Sequence, residues 1–231
     1  MIIIRRAQER GYFDHGWLQT HHTFSFADYY DPNHMGFRDL RVINQDIVAP
    51  NTGFGTHSHH DMEIITYVLR GVVTHQDSME NKGTIEPGEI QCMTAGSGVR
   101  HSEMNQSKTE PLELLQIWIL PEKKGLTPGY QQLAFKQQSP QFRLLVAPEP
   151  QQEGCVTIHQ DVKMFTVSMT PQQKRVYTIT SHRHVWIQMI KGGIDIDGKI
   201  LNAGDGAAVS EQKQLTITAA IDAEFLLFDL K

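Results

Sequence analysis

Short apolar segments, rich in β-branched and aromatic residues, alternate along the whole chain with turns of glycine, proline, asparagine and aspartate. Many such segments at close spacing are typical of an all-β barrel or a double-sheet jelly roll. Sustained helical periodicity is weak, and residues 129–135 are the best short helical candidate. The clearest predicted strands are 39–48, 64–69, 112–120, 142–147, 164–169, 185–190, 215–218 and 225–230.

A weak internal repeat divides these strands between two halves of the chain. YVLRG at 67–71 resembles QMIKG at 188–192, and PGE at 87–89 resembles AGD at 203–205. Each half therefore reads as a strand, a glycine turn, a second turn of the type x-Gly-acid, and another strand. The repeat favours two β-barrels over one.

A polar segment rich in proline and glycine, residues 121–141, is the best linker between the two halves. We therefore expect an N-terminal domain at 1–125 and a C-terminal domain at 126–231. The total of 231 residues is long enough for two ordinary domains, each with its own core.

Composition excludes several classes of protein. The net charge is −5 and no run of lysine or arginine occurs, which disfavours direct binding to nucleic acid. The apolar stretches are too short to span a bilayer, and the start of the chain does not resemble a signal peptide. Cys92 and Cys155 form no CxxC pair, which argues against a disulfide framework or a thiolate zinc site. We expect a soluble cytoplasmic protein without a membrane partner.

Two pairs of potential metal ligands stand out: HSH at 57–59 and HSE at 101–103. Side chains two residues apart on a β-strand point to the same face. His57 with His59, and His101 with Glu103, can therefore each present two donors to one point. Two such strands facing each other would surround a divalent transition metal with three imidazoles and one carboxylate, with room left for a substrate.

The second half repeats the frame without the ligands. When the halves are aligned on their glycines, Thr178 and Thr180 fall opposite the first histidine pair, and Ile217 and Ala219 fall opposite the HSE pair. A second HxH sequence at 182–184 has no HxE after it, so we interpret its histidines as ordinary polar residues. One metal site, in the first half, is the prediction.

Other residues near the motifs have less specific interpretations. A histidine that binds a metal needs a partner for its second ring nitrogen, and Asp61, Glu63 and Asn105 are candidates. His60 is out of phase with its neighbours and should face away from the metal. Four aromatic residues fit either the lining of a substrate pocket or the core: Phe24, Phe26, Tyr29 and Tyr30.

The segments HSHHDMEIITYVLRG at 57–71 and PGEIQCMTAGSGVRHSEMN at 87–105 resemble the two cupin motifs. Together with HTFSFADYYD at 22–31 they resemble the pirin family, and the resemblance covers nearly the whole chain. In the wider cupin pattern Glu63 would be a ligand. Pirins instead take the carboxylate from the HxE sequence, which is Glu103 here.

The resemblance implies a bicupin, two double-stranded β-helix barrels with a single metal in the N-terminal one. The implied metal is Fe(II) first, with zinc, copper, nickel, cobalt or manganese open. The implied activity is that of a quercetin 2,3-dioxygenase, which uses O2 to cleave the heterocycle of a flavonol and releases carbon monoxide. Glu103 would then also be the base for the flavonol 3-hydroxyl. Eukaryotic pirins act through protein partners, so the alternative is a non-catalytic metal-binding module for redox sensing or protein interaction.

Overall fold

The protein is described by a computed structural model that covers residues 1–135, 141–148 and 154–231. Within these ranges the regular secondary structure is almost entirely β-strand, and the one helical segment is a short 3-10 turn at Ala7–Glu9. The predicted all-β class is therefore confirmed. The first eleven strands are β1 (Ile2–Arg5), β2 (Gly11–Asp14), β3 (Leu18–His22), β4 (Leu40–Val48), β5 (Thr52–His59), β6 (Glu63–Arg70), β7 (Val73–Asp77), β8 (Lys82–Ile85), β9 (Glu89–Thr94), β10 (Val99–Asn105) and β11 (Leu112–Ile119).

The remaining strands follow the same style of short segments and tight turns. They are β12 (Gly129–Ala134), β13 (Arg143–Ala147), β14 (Val156–Thr157), β15 (Val162–Met169), β16 (Lys174–Thr178), β17 (His184–Lys191), β18 (Gly193–Ile196), β19 (Lys199–Asn202), β20 (Gly206–Val209), β21 (Gln214–Ala219) and β22 (Ala223–Leu230). No helix in the described ranges is long and apolar enough to cross a membrane.

The chain forms two compact units. The first unit comprises Gly11–Phe135 and Glu149–Gln160. Its larger sheet has the strand order β12-β9-β6-β11-β4-β3-β2, and its smaller sheet has the order β5-β10-β7-β8. Apolar side chains of both sheets meet between them and exclude water from the interior. This core cluster consists of Leu18, Val48, Val68, Val73, Ile85, Leu112 and Leu114.

The second unit comprises Met1–Arg10, Lys136–Pro148 and Asp161–Lys231. Its larger sheet contains the run β1-β20-β17-β22-β15-β13, and its smaller sheet has the order β16-β21-β18-β19. The smaller sheets of the two units match strand for strand, because β16 stands where β5 does and β21 where β10 does. Ile217 and Ala219 on β21 are buried in the apolar core of this unit, whereas their counterparts on β10 are polar. The boundary expected between residues 125 and 126 stays a prediction.

One predicted element is wrong. Residues 129–135, the best helical candidate, contain strand β12, which pairs antiparallel with β9 from Gly129 opposite Thr94 to Ala134 opposite Glu89. The free edge of β9 offers backbone hydrogen bonds to this polar segment, and a local sequence pattern cannot show that edge. Residues 136–140 of the expected linker lie outside the described residues.

The turn between β9 and β10 delivers His101 to the site, and two glycines shape it. Gly96 has φ +48°, and a Cβ added there would lie 2.0 Å from the carbonyl oxygen of Leu126. Gly98 has φ +140°, but an added Cβ would meet no atom within 4 Å. Both positions favour glycine for backbone reasons, and at Gly96 close packing adds a second reason.

We expect Gly98→Ala to lower the free energy of unfolding by about 1–2 kcal/mol, because it carries only the strain of a positive φ. Gly96→Ala should lower it by at least about 1 kcal/mol more, because the backbone of Leu126 must also move. Urea unfolding of both metal-free variants and of the unchanged protein measures the difference. Equal losses for the two substitutions would contradict the packing argument.

Candidate metal centre

Strands β5 and β10 carry the predicted ligands and pair antiparallel in the smaller sheet of the first unit. His57 lies directly opposite His101. The register shifts before Glu103, which lies opposite Phe54 rather than Gly55. The shift places one extra residue in β5, as in a β-bulge, and both Phe54 and His57 line the same cavity.

Three of the four predicted ligands form a tight cluster. One ring nitrogen each of His57, His59 and His101 lies within 4.8 Å of the others. The Nε2 atoms of His57 and His101 are 3.1 Å apart. The Nδ1 atom of His57 is 2.8 Å from the carbonyl oxygen of Gly55, which only accepts, so this nitrogen carries the proton and Nε2 keeps its lone pair. The backbone of β5 thus fixes the tautomer that a metal requires.

Burial keeps two of the three clustered histidines uncharged. The pKa of His59 is lowered to about 4, mainly by burial and in smaller part by the neighbouring His57 and His60. Burial likewise lowers the pKa of His101 to about 3, with the adjacent histidines adding to the effect. Both rings are therefore neutral at pH 7, the form in which imidazole binds metal.

Glu103 lies in a second cluster that shares His101. A carboxylate oxygen of Glu103 and one ring nitrogen each of His75 and His101 lie within 4.8 Å of one another. The carboxylate is buried and accepts hydrogen bonds from Thr66 Oγ1 at 2.7 Å, from Gln91 Nε2 at 3.4 Å and from the Gln116 amide. Burial raises its pKa, although the hydrogen bonds and the nearby histidines oppose that rise. The four predicted ligands thus occupy two adjoining clusters joined at His101.

His75 on β7 is a buried histidine that the sequence interpretation missed. Its Nε2 is 3.3 Å from Asp77 Oδ2, and Asp77 is held by the backbone N–H groups of Met79 and Asn81 at 2.8 and 3.0 Å. Among the described residues, Nδ1 of His75 and Nδ1 of His101 have no hydrogen-bond partner. The sequence gives only a weak signal for His75, because it is a lone histidine in the segment THQD at 74–77, outside both motifs.

Glu63 faces away from the histidine cluster. It lies on β6 out of phase with Thr66, and its buried carboxylate accepts hydrogen bonds from Thr94 Oγ1 at 2.8 Å and from the backbone N–H of His159 at 3.2 Å. His159 Nδ1 is 3.0 Å from the same carboxylate. Glu63 therefore anchors residues 154–160 rather than the cluster.

The other two candidates for orienting the histidines bind elsewhere. Asp61 accepts the backbone N–H of Gly125 at 2.7 Å, and Asn105 donates to backbone carbonyls that include Val48 at 3.1 Å. Both side chains hold loops near the site. His60 is 82% exposed, in agreement with the expectation that it faces away from the cluster.

A cavity of about 390 Å³ opens beside the two clusters. Its walls are mostly apolar and include four aromatic residues. Their rings meet edge to face, Trp17 with Phe54 at 5.3 Å and Phe26 with Trp118 at 5.2 Å. The lining residues are Trp17, Phe26, Asn44, Asp46, Gly53, Phe54, Gly55, His57, His59, His101, Glu103, Gln116 and Trp118. Such walls suit a planar apolar or aromatic ligand.

Of the four aromatic residues singled out in the sequence, Phe26 lines the cavity. Phe24 is buried in the core, Tyr29 stacks with His22 at 6.3 Å, and Tyr30 is exposed. Asp46, Phe54 and the two tryptophans escaped notice because they lie outside the quoted motifs, even though Phe54 is only three residues before His57. The one usable signal was Asp46 itself, a charged residue inside the apolar strand LRVINQDIV.

The described part of the second unit lacks a cluster of potential metal ligands like those of the first unit. Both clusters of potential metal ligands lie in the first unit, and the described part of the second unit presents no third one. His182 occupies a turn with φ +65°, and His184 Nδ1 is 2.8 Å from Ser210 Oγ. Neither side chain converges with another metal-binding group of the described chain.

The donor set fits a divalent transition metal. Two of the histidines are held neutral by burial, and the backbone holds His57 in the tautomer that directs Nε2 to the cluster. The Nε2 atoms of His57 and His101, 3.1 Å apart, are close enough to bind one cation together. A buried carboxylate lies next to the cluster, and mixed imidazole and carboxylate donors suit iron, nickel, zinc and their neighbours rather than calcium or magnesium.

Comparison with known proteins gives full-length matches. The chain is 49% identical over 230 residues to the quercetin 2,3-dioxygenase of Escherichia coli K12, covering 100% of this chain and 99% of that protein. It is 44% identical over 234 residues to the putative quercetin 2,3-dioxygenase PM1685 of Pasteurella multocida, covering both completely. The crystal structure of the bacterial pirin YhhW from Escherichia coli in complex with nickel(II) superimposes with a TM-score of 0.96 at 48% identity, covering 100% of this chain and 99% of that chain.

Family models match both halves of the chain. The model described as Pirin matches residues 4–119, and the model described as Quercetinase C-terminal cupin domain matches residues 144–230. These matches agree with the two β-sheet units and with the metal-binding donor set of the first. The chain therefore belongs to the pirin family and is a metal-binding bicupin.

Proposed function

We propose that the protein is a metal-dependent dioxygenase that cleaves the heterocyclic ring of flavonols such as quercetin and releases carbon monoxide. The observation that carries this proposal is the juxtaposition of the donor clusters with an aromatic cavity of about 390 Å³. The names of the relatives support it, since several are called quercetin 2,3-dioxygenase.

The metal ligands in this proposal are His57, His59, His101 and Glu103. The three histidines already converge, and Glu103 adjoins them through the cluster it shares with His101. We assign Fe(II) first, and nickel remains an alternative because the similar pirin from Escherichia coli was crystallised with it. A divalent metal bound there would supply a Lewis-acidic, redox-active centre for an anionic aromatic oxygen and O2.

The aromatic walls would position the flavonol and exclude water. Trp17, Phe26, Phe54 and Trp118 offer flat faces and edges to a fused ring system. His59 packs edge to face on Trp118 at 5.0 Å, so one wall of the cavity directly contacts a proposed ligand. This arrangement would hold the reacting ring beside the donor cluster.

Glu103 is the proposed base for the flavonol 3-hydroxyl. It lines the cavity beside the histidine cluster, where the hydroxyl of a bound flavonol would come within reach of its carboxylate. The hydrogen bonds from Thr66, Gln91 and Gln116 hold its orientation. The Glu103 carboxylate would therefore receive the flavonol proton from a fixed position.

We expect His101→Ala to weaken metal binding by more than about a hundredfold, because a direct ligand should matter at least as much as its supporting partners. The matched control is His60→Ala, which removes an exposed histidine next to the motif. Calorimetric titration with Ni(II) and metal analysis of the purified variants check both. Similar metal content in the two variants would contradict the proposed ligand set.

Two buried glutamates offer a test of the carboxylate ligand. Glu103→Gln should reduce metal affinity, because the amide is a weaker ligand for a transition metal. Glu63→Gln should retain the metal while lowering stability, because its carboxylate binds Thr94 and His159 instead. Metal titration with thermal unfolding separates the two effects. Metal loss in the Glu63 variant alone would instead support the wider cupin pattern.

The activity itself is tested with the Fe(II)-loaded protein and quercetin. We expect oxygen uptake and carbon monoxide release, both abolished in the double variant His57→Ala, His101→Ala. In any Glu103→Gln protein that keeps its metal, turnover should fall by about a hundredfold or more, the usual contribution of a general base. Equal oxygen uptake and carbon monoxide release by the unchanged protein and the double variant would contradict the dioxygenase proposal. The alternative, a metal-binding interaction module, would then be favoured.

A further inference from the structure

Asp46 is a buried carboxyl group in the wall of the cavity and lies outside both cupin motifs. It lies near the C-terminal end of β4, which pairs with β3 on one side and β11 on the other. The residue is 2% exposed and lines the cavity beside the aromatic rings. Among the described residues, its Oδ1 atom has no hydrogen-bond partner.

A buried carboxyl oxygen without a partner is unfavourable, since such groups are nearly always hydrogen-bonded in folded proteins. Thr20 lies opposite Asp46 on β3, but its hydroxyl also lacks a partner with normal hydrogen-bond geometry. The pKa of Asp46 is raised to about 7, mainly by burial, with Thr20 opposing the rise and Glu103 contributing to it. The protein therefore keeps an unsatisfied acceptor in this wall.

The other amide and carboxyl groups of the wall are already engaged. Asn44 Oδ1 is 2.7 Å from His22 Nδ1. Gln116 donates to Glu103 and, at 3.2 Å, to Thr66. Apart from the proposed metal ligand His101, two cavity-lining residues have a polar atom without a partner among the described residues: Oδ1 of Asp46 and the indole Nε1 of Trp118. The indole N–H only donates, so Asp46 is the one of the two that could accept a hydrogen bond from a ligand hydroxyl.

We propose that Asp46 accepts a hydrogen bond from a ring hydroxyl of the substrate, distinct from the oxygen that binds at the metal centre. The inference rests on the proposed function and deepens it, because it assigns the substrate class. The cavity selects planar aromatic compounds that carry a second hydroxyl donor, and it discriminates against flavonols whose other ring positions are unsubstituted. Asp46 is thus a specificity-determining residue, and the three histidines with Glu103 are not.

The test compares two flavonols that share the 3-hydroxyl. Quercetin carries further ring hydroxyls, and 3-hydroxyflavone carries none. Both are titrated under anaerobic conditions into the Ni(II)-loaded protein and its Asp46→Ala, Asp46→Asn and Asp222→Asn variants. Asp222 is an exposed residue of a turn in the second unit and serves as the matched control. Metal content is measured for each preparation, so that a loss of metal is not read as a loss of flavonol binding.

We expect Asp46→Ala to weaken quercetin binding about tenfold or more, the usual effect of losing a hydrogen bond to a charged group, and to leave 3-hydroxyflavone within about twofold. The quercetin affinity of Asp46→Asn should lie between those of the unchanged protein and Asp46→Ala, because the amide oxygen still accepts a hydrogen bond. Asp222→Asn should match the unchanged protein with both compounds.

Equal losses for both flavonols, no loss for either, or no binding of either flavonol by the unchanged protein would overturn the role of Asp46. The proposed function fails separately. If the Fe(II)-loaded protein binds quercetin with the expected dependence on Asp46 but consumes no oxygen, the hydroxyl-selective site stands and the dioxygenase does not.

Discussion

β5 and β10 pair antiparallel with His57 opposite His101, and the convergence of the three imidazoles depends on that register. A slip of one residue would turn each side chain of β5 to the opposite face of the sheet. The bulge before Glu103 then permits Phe54 and His57 to share the cavity although they are three residues apart. The metal-binding set and the aromatic wall are therefore consequences of one strand pairing.

The interior of the first unit combines two environments that normally exclude each other. An apolar core fills the space between its sheets at one end, and a buried polar network of Glu103, Thr66, Gln91 and Gln116 fills it beside the histidines. The hydrogen bonds of this network hold the Glu103 carboxylate, although Oε1 of Gln91 has no partner among the described residues. The second unit has the same strand order in its smaller sheet, yet apolar side chains such as Ile217 replace the polar ones. Its described part keeps the barrel architecture and an apolar core and contains neither cluster of potential metal ligands.

In the absence of a metal, burial favours the uncharged forms of titratable side chains that line the cavity. Burial holds His59 and His101 neutral and shifts the pKa values of Glu103 and Asp46 upward. A divalent cation reverses this preference locally, because it stabilises the negative charge of nearby carboxyl groups. Ligand hydroxyls then meet two carboxyl groups with separate tasks, one beside the metal-binding histidines and one in the aromatic wall.

The sequence by itself determined the all-β class, the two-fold repeat and the alternating donors, because strand periodicity and turn residues are local properties of the chain. It also located the metal-binding half, since the aligned half has Ile217 and Ala219 in place of the second donor pair. It misread residues 129–135 as helix, because the strand they form is stabilised by the edge of β9. Tertiary structure alone decided that His75 joins the site, that Glu63 points elsewhere and that Asp46 enters the cavity. These outcomes depend on which face of a strand is turned inward and on which distant strand lies beside it, and neither is encoded within a short window of sequence.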